Sequence, residues 1–431
     1  MEYLMFVLPV ICMMSSDAFL VMISLITLLT YFDWGSEQLT PFFFKDELSL
    51  LMMVMSLFVL VPLVILSWGE RVKTVIIALS MVLTLWIFSC DSILLFFILF
   101  EFSLVPMVML VYFQGKNPER LAAGVWMFML TLVSSVGLLI VVSLLVSNLK
   151  IDSMSMINCT GFTYEPLSNT WFWLASLSFL VKIPAFGFHT WLPKAHVEAS
   201  LEGSLLLAGI MLKMGGYGLV RLVHSNMSFF KGPLGSLMTA IFTLGSIISV
   251  CLMISSDDMK VIVAYSSVSH MNIILVGIVT MKMIALKSVL IIMFCHSFTS
   301  CMMFYLVNEV YEKSGTRSLV SNYGFFSAFK GYVFFSWMIW MANMSLPPFL
   351  SFMGEMLVSI SVASYSMVIF VALLMFILLT SVGGSLMYCS WTHGTAKIHI
   401  KMSDFGMKFY QFCSLSIVVM ISLFVFSDAL L

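Results

Sequence analysis

The feature that most constrains this chain is a succession of long apolar runs separated by short polar segments. Apolar windows of about 17–25 residues, long enough to cross a bilayer, recur throughout the 431-residue sequence. Hydrophobic residues make up 61% of the chain and charged residues 10%, with a mean hydropathy of +1.09. A soluble core cannot bury that much apolar surface, so the sequence predicts an all-α, polytopic membrane protein.

We predict fourteen transmembrane helices. They lie near residues 1–14, 16–32, 47–68, 72–90, 92–113, 121–147, 170–188, 199–223, 235–254, 259–280, 285–307, 331–357, 364–388 and 411–430. The seventh contains Pro184 and the twelfth contains Pro347 and Pro348, so both are expected to be broken. No linker or large extramembrane segment interrupts the series, which predicts a single membrane domain over 1–431.

Within that domain, the order of helices predicts two repeats of opposite orientation. N-terminal helices occupy 1–68, a first five-helix repeat 72–223, a second 235–388, and a C-terminal loop and helix 389–431. The two broken spans are five helices apart and therefore cross the membrane in opposite directions. Paired broken helices in inverted halves are typical of transporters with ion sites near the membrane midplane.

Charge distribution gives an orientation and excludes some functions. In this topology 12 of the 20 basic residues fall on one side and 6 on the other, with Lys182 and Lys213 inside spans. The positive-inside rule then places both termini on the outer side. A net charge of -1 leaves no basic surface for nucleic acid. The segment 1–14 lacks a basic start, so we expect no cleavable signal there.

The cysteines and glycines give no sign of a bound metal or cofactor. None of the eight cysteines pairs as C-x-x-C, which speaks against zinc, haem or iron–sulfur ligation. No G-x-G-x-x-G motif follows a strand pattern. We therefore expect buried thiols, and no metal or cofactor in this chain.

Four ionisable residues fall inside predicted spans: Glu101, Lys182, Lys213 and Glu355. An ionised side chain at the bilayer centre costs about 2.5–3.5 kcal/mol on insertion scales, so such residues face a bundle interior and mark ion or proton paths. Buried Glu101 and Lys182 each retain a charge only beside an opposite charge, which predicts a coupled pair. A salt bridge that only fixes packing is the alternative.

Three histidines are candidates for proton relay. His270 and His296 lie among small hydroxyl residues in the tenth and eleventh spans, and His189 follows Lys182 by seven residues, close to two helical turns. A hydrogen-bonded structural histidine is the alternative for each. The remaining histidines are expected to be structural near the surface, or solvated in loops: His196, His224, His393 and His399.

Several sequence blocks resemble a known family. KIPAFGFHTWLPKAH (182–196) and VEASLEGSLLLAGIMLKMGGYGLVRL (197–222) are similar to the core of the antiporter-like subunits of respiratory complex I and of multisubunit sodium/proton antiporters. DDMKVIVAYSSVSHMN (257–272), HSFTSCMMFYLVNEVYEKSGTRSL (296–319) and ANMSLPPFLSFMGEM (342–356) resemble later blocks in the same order. Glu202 departs from the family, whose members usually have a small or apolar residue there.

The resemblance implies a proton-translocating subunit of complex I in the mitochondrial inner membrane, and the 38 methionines are typical of mitochondrially encoded proteins. NADH, FMN, iron–sulfur clusters and ubiquinone would be bound by other subunits. Sister antiporter-like subunits and lipids would be the partners. A subunit of a cation/proton antiporter and a non-conducting structural subunit remain alternatives.

The resemblance also implies roles for the candidate residues. Glu101 would partner Lys182, and Lys213 would receive a proton from that region. His270 and His296 would lie near the connecting water chain. Glu355 would stand at the path to the outer side; sister subunits usually carry lysine at that position.

Overall fold

The described part of the structure is almost entirely helical. The computed structural model describes residues 37–40, 43–67, 70–115, 118–149, 152–154, 168–225, 230, 232–324, 330–394 and 407–425. Two short strands, β1 (Glu37–Thr40) and β2 (Phe43–Lys45), form an antiparallel hairpin before the first described helix. The all-α prediction is confirmed, and the first two predicted spans, 1–14 and 16–32, lie outside the described residues.

The helices follow one another in chain order. They are α1 (Glu47–Leu66), α2 (Arg71–Ser89), α3 (Ile93–Phe102), α4 (Leu104–Gln114), α5 (Arg120–Leu149), α6 (Ser168–Lys182), α7 (Trp191–Glu198), α8 (Leu201–Leu206), a π-helical turn (Leu207–Met211), α9 (Leu212–Ser225), α10 (Pro233–Ser255), α11 (Met259–Thr280), α12 (Met283–Ser314), α13 (Lys330–Asn343), α14 (Leu350–Ala363), α15 (Met367–Thr392) and α16 (Met407–Val425). The third to fourteenth predicted spans all coincide with these elements. Eight described helical segments are long and apolar enough to cross a bilayer.

The chain is divided into two compact units. The first comprises Met1–Lys182 with Glu198–Met227, and the second comprises Ile183–Val197 with Ser228–Leu431. The main division falls between Met227 and Ser228, and the two inverted repeats stay a prediction. The segment after Lys182, however, packs with the second unit although the sequence assigns it to the first repeat.

In the first unit, α6 packs against α5 and α9. The contact between α6 and α9 is close because Gly218 has no side chain: a Cβ there would lie 2.2 Å from Cε1 of Phe179. Phe179 stacks edge-on with Phe100 of α3, at 5.3 Å between ring centroids. These aromatic contacts hold the end of α6 beside α3.

Prolines explain two of the helix breaks in the first unit. Pro106 has no N–H to donate to the carbonyl four residues earlier, at Phe102, and the helix is interrupted at Ser103. Pro184 likewise cannot continue α6, which ends at Lys182. The sequence predicted the second break and missed the first.

In the second unit, α11 and α12 are the most buried of the long helices, with 89% and 94% of their apolar windows buried. The α10 and α15 helices lie at its periphery, with 44% and 33% buried. α11 packs against α10 and α12, and α12 packs against α14. Residues on α11, α12 and α14 therefore meet inside the unit.

The predicted break in the twelfth span is confirmed. α13 ends at Asn343 and α14 begins at Leu350, with Pro347 and Pro348 between them. The Oγ of Ser351 donates to the carbonyl of Ala342 across this gap, at 2.9 Å. Backbone groups that a break frees inside a membrane must find such partners, because lipid offers none.

Candidate functional site

Lys182 occupies the last position of α6 and is 4% exposed. Its Nζ donates to the carbonyl oxygen of Phe100 at 2.8 Å and lies 3.1 Å from the centroid of the Phe100 ring. The same carbonyl accepts from the Oγ of Ser103 at 2.6 Å. The break between α3 and α4 thus presents a backbone acceptor to the lysine, and the ring adds a cation–π contact.

Glu101 is the next residue along α3. Both of its carboxylate oxygens are buried and accept no hydrogen bond within the described residues. Glu101 interacts electrostatically with Lys182. Among the described residues, however, the two side chains form no ion pair with a nitrogen–oxygen distance of 4.0 Å or less. The structure therefore places Lys182 and Glu101 near each other, but the Lys182 ammonium donates to the carbonyl of Phe100, the residue before Glu101.

Lys213 lies in the first turn of α9 and is completely buried. Its Nζ donates to the carbonyl of Ala208 at 2.6 Å, inside the π-helical turn Leu207–Met211. A π turn displaces backbone carbonyls from the regular ladder and is frequent at functional sites. Lys213 and Lys182 thus share one arrangement, in which a buried lysine donates to a carbonyl at a helix irregularity.

Glu355 lies on α14, is 5% exposed and has two polar contacts. Nδ1 of His270 is 3.2 Å from its Oε1, and the Oγ of Ser345 donates to the same oxygen at 2.6 Å. Ser345 belongs to the break between α13 and α14 and has a φ of 53°. A glutamate, a histidine and a hydroxyl therefore converge beside a broken helix.

Two of the predicted histidines lie together beside Glu355. The rings of His270 on α11 and His296 on α12 have centroids 5.6 Å apart. Both line a small cavity that has room for about one water molecule. Its lining is completed by apolar and polar residues of α12, α13, α14 and the helix break: Ile292, Cys295, Thr299, Ala342, Asn343, Ser345, Ser351 and Glu355.

His189 does not follow Lys182 along a helix, so the two-turn spacing expected from the sequence is wrong. Residues 183–190 form turns, because Pro184 ends α6 and Gly187 adopts a φ of 105°. Nδ1 of His189 accepts from the N–H of Gly187 at 3.3 Å, and the ring stacks on Phe186 at 4.9 Å. In the described contacts His189 therefore belongs to the turn segment rather than to the cavity beside Glu355.

Two other histidines differ from expectation. His196, expected near the surface, is fully buried and stacks on Phe304 at 4.3 Å between ring centroids. His224, expected in a loop, lies in the last turn of α9. His393 is exposed at the end of α15, as expected, and His399 lies outside the described residues.

Glu202, the departure from the family pattern, forms an ion pair at one end of the first unit. Lys73 of α2 lies 3.1 Å from its Oε1 and 2.9 Å from Oε1 of Glu70. Glu202 occupies the first turn of α8, whose N-cap is Ser200. The carboxylate thus ties α8 to α2.

Comparison with known proteins decides the family. The family model described as NADH:quinone oxidoreductase/Mrp antiporter, TM, matches residues 90–380. This range contains the four ionisable residues predicted inside spans and the three proline-associated helix breaks described above. The chain belongs to this family.

Curated members of the family support the match along most of the sequence. The chain is 32% identical to NADH-ubiquinone oxidoreductase chain 4 of Rhipicephalus sanguineus, over 90% of this chain and 89% of the relative. It is 35% identical to the protein of that name from Albinaria caerulea, over 76% of this chain and 74% of the relative. With the Petromyzon marinus protein of the same name, identity is 38% over 69% of this chain and 66% of the relative.

Solved structures of other membrane complexes share the fold. A chain of respiratory complex I from Thermus thermophilus with bound NADH superposes with a TM-score of 0.88, at 20% identity, covering 100% of this chain and 96% of that one. A chain of the Mrp complex from Dietzia sp. DQ12-45-1b gives a TM-score of 0.86 at 15% identity, covering 100% and 95%. The predicted resemblance to antiporter-like subunits is confirmed, and the curated relatives above are all named chain 4.

Sequence reasoning missed Ser103, Ser345 and Asn343 at the site. Ser103 and Ser345 lie two or three residues before a proline within an apolar span. A small hydroxyl residue in that position can donate to groups that the break frees, and this signal was available in the sequence. Asn343 carried no such signal, because only the fold brings it to the cavity.

Proposed function

We propose that this chain is the proton-translocating, antiporter-like subunit 4 of respiratory complex I and spans the mitochondrial inner membrane many times. Its relatives are named for NADH–ubiquinone oxidoreduction. That redox chemistry, with its NADH, FMN, iron–sulfur clusters and ubiquinone, belongs to other subunits. The chain contributes to the enzyme by moving protons.

One observation carries this proposal: the four ionisable residues predicted inside spans each lie beside a helix irregularity. Glu101 precedes the Ser103 break, Lys182 ends α6, Lys213 follows the π-helical turn, and Glu355 follows the α13–α14 break. A charged side chain inside a membrane is energetically costly. A role in packing alone would not explain why each of these residues lies next to a break or a π-helical turn in the backbone. Open backbone is where water enters a membrane helix bundle.

In the first unit, Lys182 has two acceptors for its ammonium. An ionised Glu101 attracts it because a buried carboxylate without a partner is costly. A proton delivered to Glu101 removes that attraction, and the ammonium returns to the Phe100 carbonyl, where the structure shows it. Each exchange changes the proton affinity of Lys182 and prepares it to pass a proton toward Lys213.

In the second unit, His270, His296 and the cavity form the route to Glu355. His270 lies in contact with the Glu355 carboxylate, within the distance that general acid–base transfer needs. A water molecule in the cavity would extend this contact to His296. Glu355 then releases protons toward the outer side.

The broader setting follows from the same proposal. The chain is a multi-pass subunit of a multisubunit membrane complex, and we assign its neighbours as the sister antiporter-like subunits 2 and 5. Both termini lie on the intermembrane-space side, in line with the uneven distribution of lysine and arginine.

The test is proton pumping by the assembled complex in vesicles. Replacing Lys182 with methionine removes the titrating amine and should lower the number of protons pumped per electron while the complex still assembles. An unchanged ratio would show that this chain is a structural subunit. Cation exchange by the isolated chain without NADH would instead favour a freestanding cation/proton antiporter.

A further inference from the structure

Ser345 occupies a position where serine is unfavourable for the backbone. Its φ of 53° lies in the left-handed region, which residues other than glycine, asparagine and aspartate rarely adopt. Such strain persists where surrounding structure imposes it, and it concentrates at functional sites. The residue is also 5% exposed, so its hydroxyl needs a partner inside the protein.

That partner is the carboxylate of Glu355. The Oγ–Oε1 distance of 2.6 Å is typical of a hydrogen bond to a charged acceptor. His270 approaches the same oxygen through Nδ1 at 3.2 Å. Both described contacts of Glu355 therefore fall on Oε1, and the Glu355 side chain also lines the cavity.

We propose that Ser345 is a positioning residue whose hydroxyl holds Oε1 of Glu355 against His270, so that Oε2 exchanges protons with the cavity. This proposal rests on the proposed function, since it assigns Ser345 a part in the step at Glu355. Without the hydroxyl, the carboxylate can rotate about its terminal torsion, which is broad and nearly two-fold in such side chains. The contact with His270 is then kept only part of the time.

The chain offers a matched control for this role. Ser359 is also buried and lies one helical turn after Glu355 on α14, but its Oγ donates to the carbonyl of Met356 rather than to Glu355. Ser359→Ala therefore removes a buried hydroxyl of the same kind from the same helix, at a residue that is not among those lining the cavity. It leaves the described contacts of Glu355 intact.

Two substitutions at position 345 distinguish the effect of the hydroxyl from the effect of the strained backbone. Ser345→Ala removes the hydroxyl and keeps the Cβ that makes the φ of 53° unfavourable. Ser345→Gly also removes the hydroxyl but relieves the strain. If the alanine variant failed to assemble, the glycine variant would carry the test.

The experiment measures NADH-driven proton pumping by the assembled complex in vesicles and the infrared carboxyl band of Glu355. We expect Ser345→Ala and Ser345→Gly to lower coupled turnover by roughly tenfold, as for one lost hydrogen bond to a charged group, and to shift the band. Ser359→Ala should change neither quantity.

Two results would overturn the proposal. One is that both Ser345 variants behave like Ser359→Ala; the other is a loss in Ser345→Ala that Ser345→Gly fully restores, which would assign the role to the backbone. Glu355→Gln separates this failure from failure of the proposed function. Normal proton pumping in Glu355→Gln would contradict the proposed function of the second unit. Reduced pumping in Glu355→Gln, together with normal pumping in both Ser345 variants, would reject only the role of Ser345.

Discussion

The ammonium of Lys182 rests on Phe100, with the Nζ–carbonyl distance at 2.8 Å and the Nζ–ring centroid distance at 3.1 Å. Glu101, the next residue, provides an acidic acceptor that attracts the lysine when its carboxylate is ionised. A lysine with a neutral acceptor and an acidic acceptor on adjacent residues can exchange between them by a small movement of its side chain. Which acceptor it occupies then depends on the proton carried by Glu101.

Removing the Phe100 ring should disturb this balance. Phe100→Leu keeps the backbone carbonyl but removes a cation–π contact worth about 0.5–2 kcal/mol. We expect Lys182 to shift toward Glu101 and coupled turnover to fall by about two- to tenfold. The measurement is NADH-driven proton pumping by the assembled complex.

Phe96→Leu is the control for that experiment. Phe96 lies on the same helix and stacks on Phe100 at 5.7 Å between ring centroids, but its ring does not appear among the described contacts of Lys182. Equal losses in the two variants would mean that the aromatic cluster matters only for packing.

Glu101→Gln should reduce proton pumping without destabilising the complex. The carboxylate oxygens are buried without hydrogen bonds in the described structure, so replacing a costly buried acid with an amide of the same shape should not impair assembly. The amide cannot titrate, and proton pumping per electron should fall. Native gels measure how much complex assembles, and the ratio of protons pumped per electron measures coupling. A variant that pumps at the normal ratio would remove Glu101 from the mechanism.

Two buried histidines of the second unit should respond differently to substitution. His270→Phe removes the imidazole that contacts Glu355 and should reduce coupled turnover by tenfold or more, the usual contribution of a general acid or base being about 10²–10⁴-fold. His196→Phe keeps a flat ring against Phe304 and should leave pumping unchanged. If both variants lost pumping equally, the relay role of His270 would not be supported.

Glu202 should prove to be a structural residue. Its ion pair with Lys73 is largely buried, but Lys73 also pairs with Glu70 and keeps that partner when Glu202 is removed. Glu202→Ala should therefore lower the thermal stability of the complex slightly and leave protons per electron unchanged. A reduced pumping ratio, measured beside the stability, would instead place Glu202 at the entry of a proton path.

The helices could be predicted from the sequence because lipid imposes their length and forces each apolar run to satisfy its own backbone. Pro184 and the pair Pro347–Pro348 also revealed two breaks directly. The π-helical turn before Lys213 could not be foreseen, since no proline or glycine pattern specifies it and the helix continues on both sides.

The contacts of the charged residues were harder to predict than their existence. The cost of a buried charge identified Lys182 and Glu101, but a backbone carbonyl is an acceptor at every position and leaves no mark in the sequence. Only the break at Ser103 and the packing of α6 on α3 make the Phe100 carbonyl available. The burial of His196 likewise depends on Phe304, more than one hundred positions away in the chain.

The most direct test of the account is the ratio of protons pumped per electron in a complex that carries Lys182→Arg. Arginine keeps the positive charge and can still donate to the Phe100 carbonyl, but it does not release its proton in a protein. If Lys182 works by titration, the ratio falls as far as in Lys182→Met while the complex assembles normally. A ratio equal to that of the unaltered complex would contradict the account, because charge alone would then suffice.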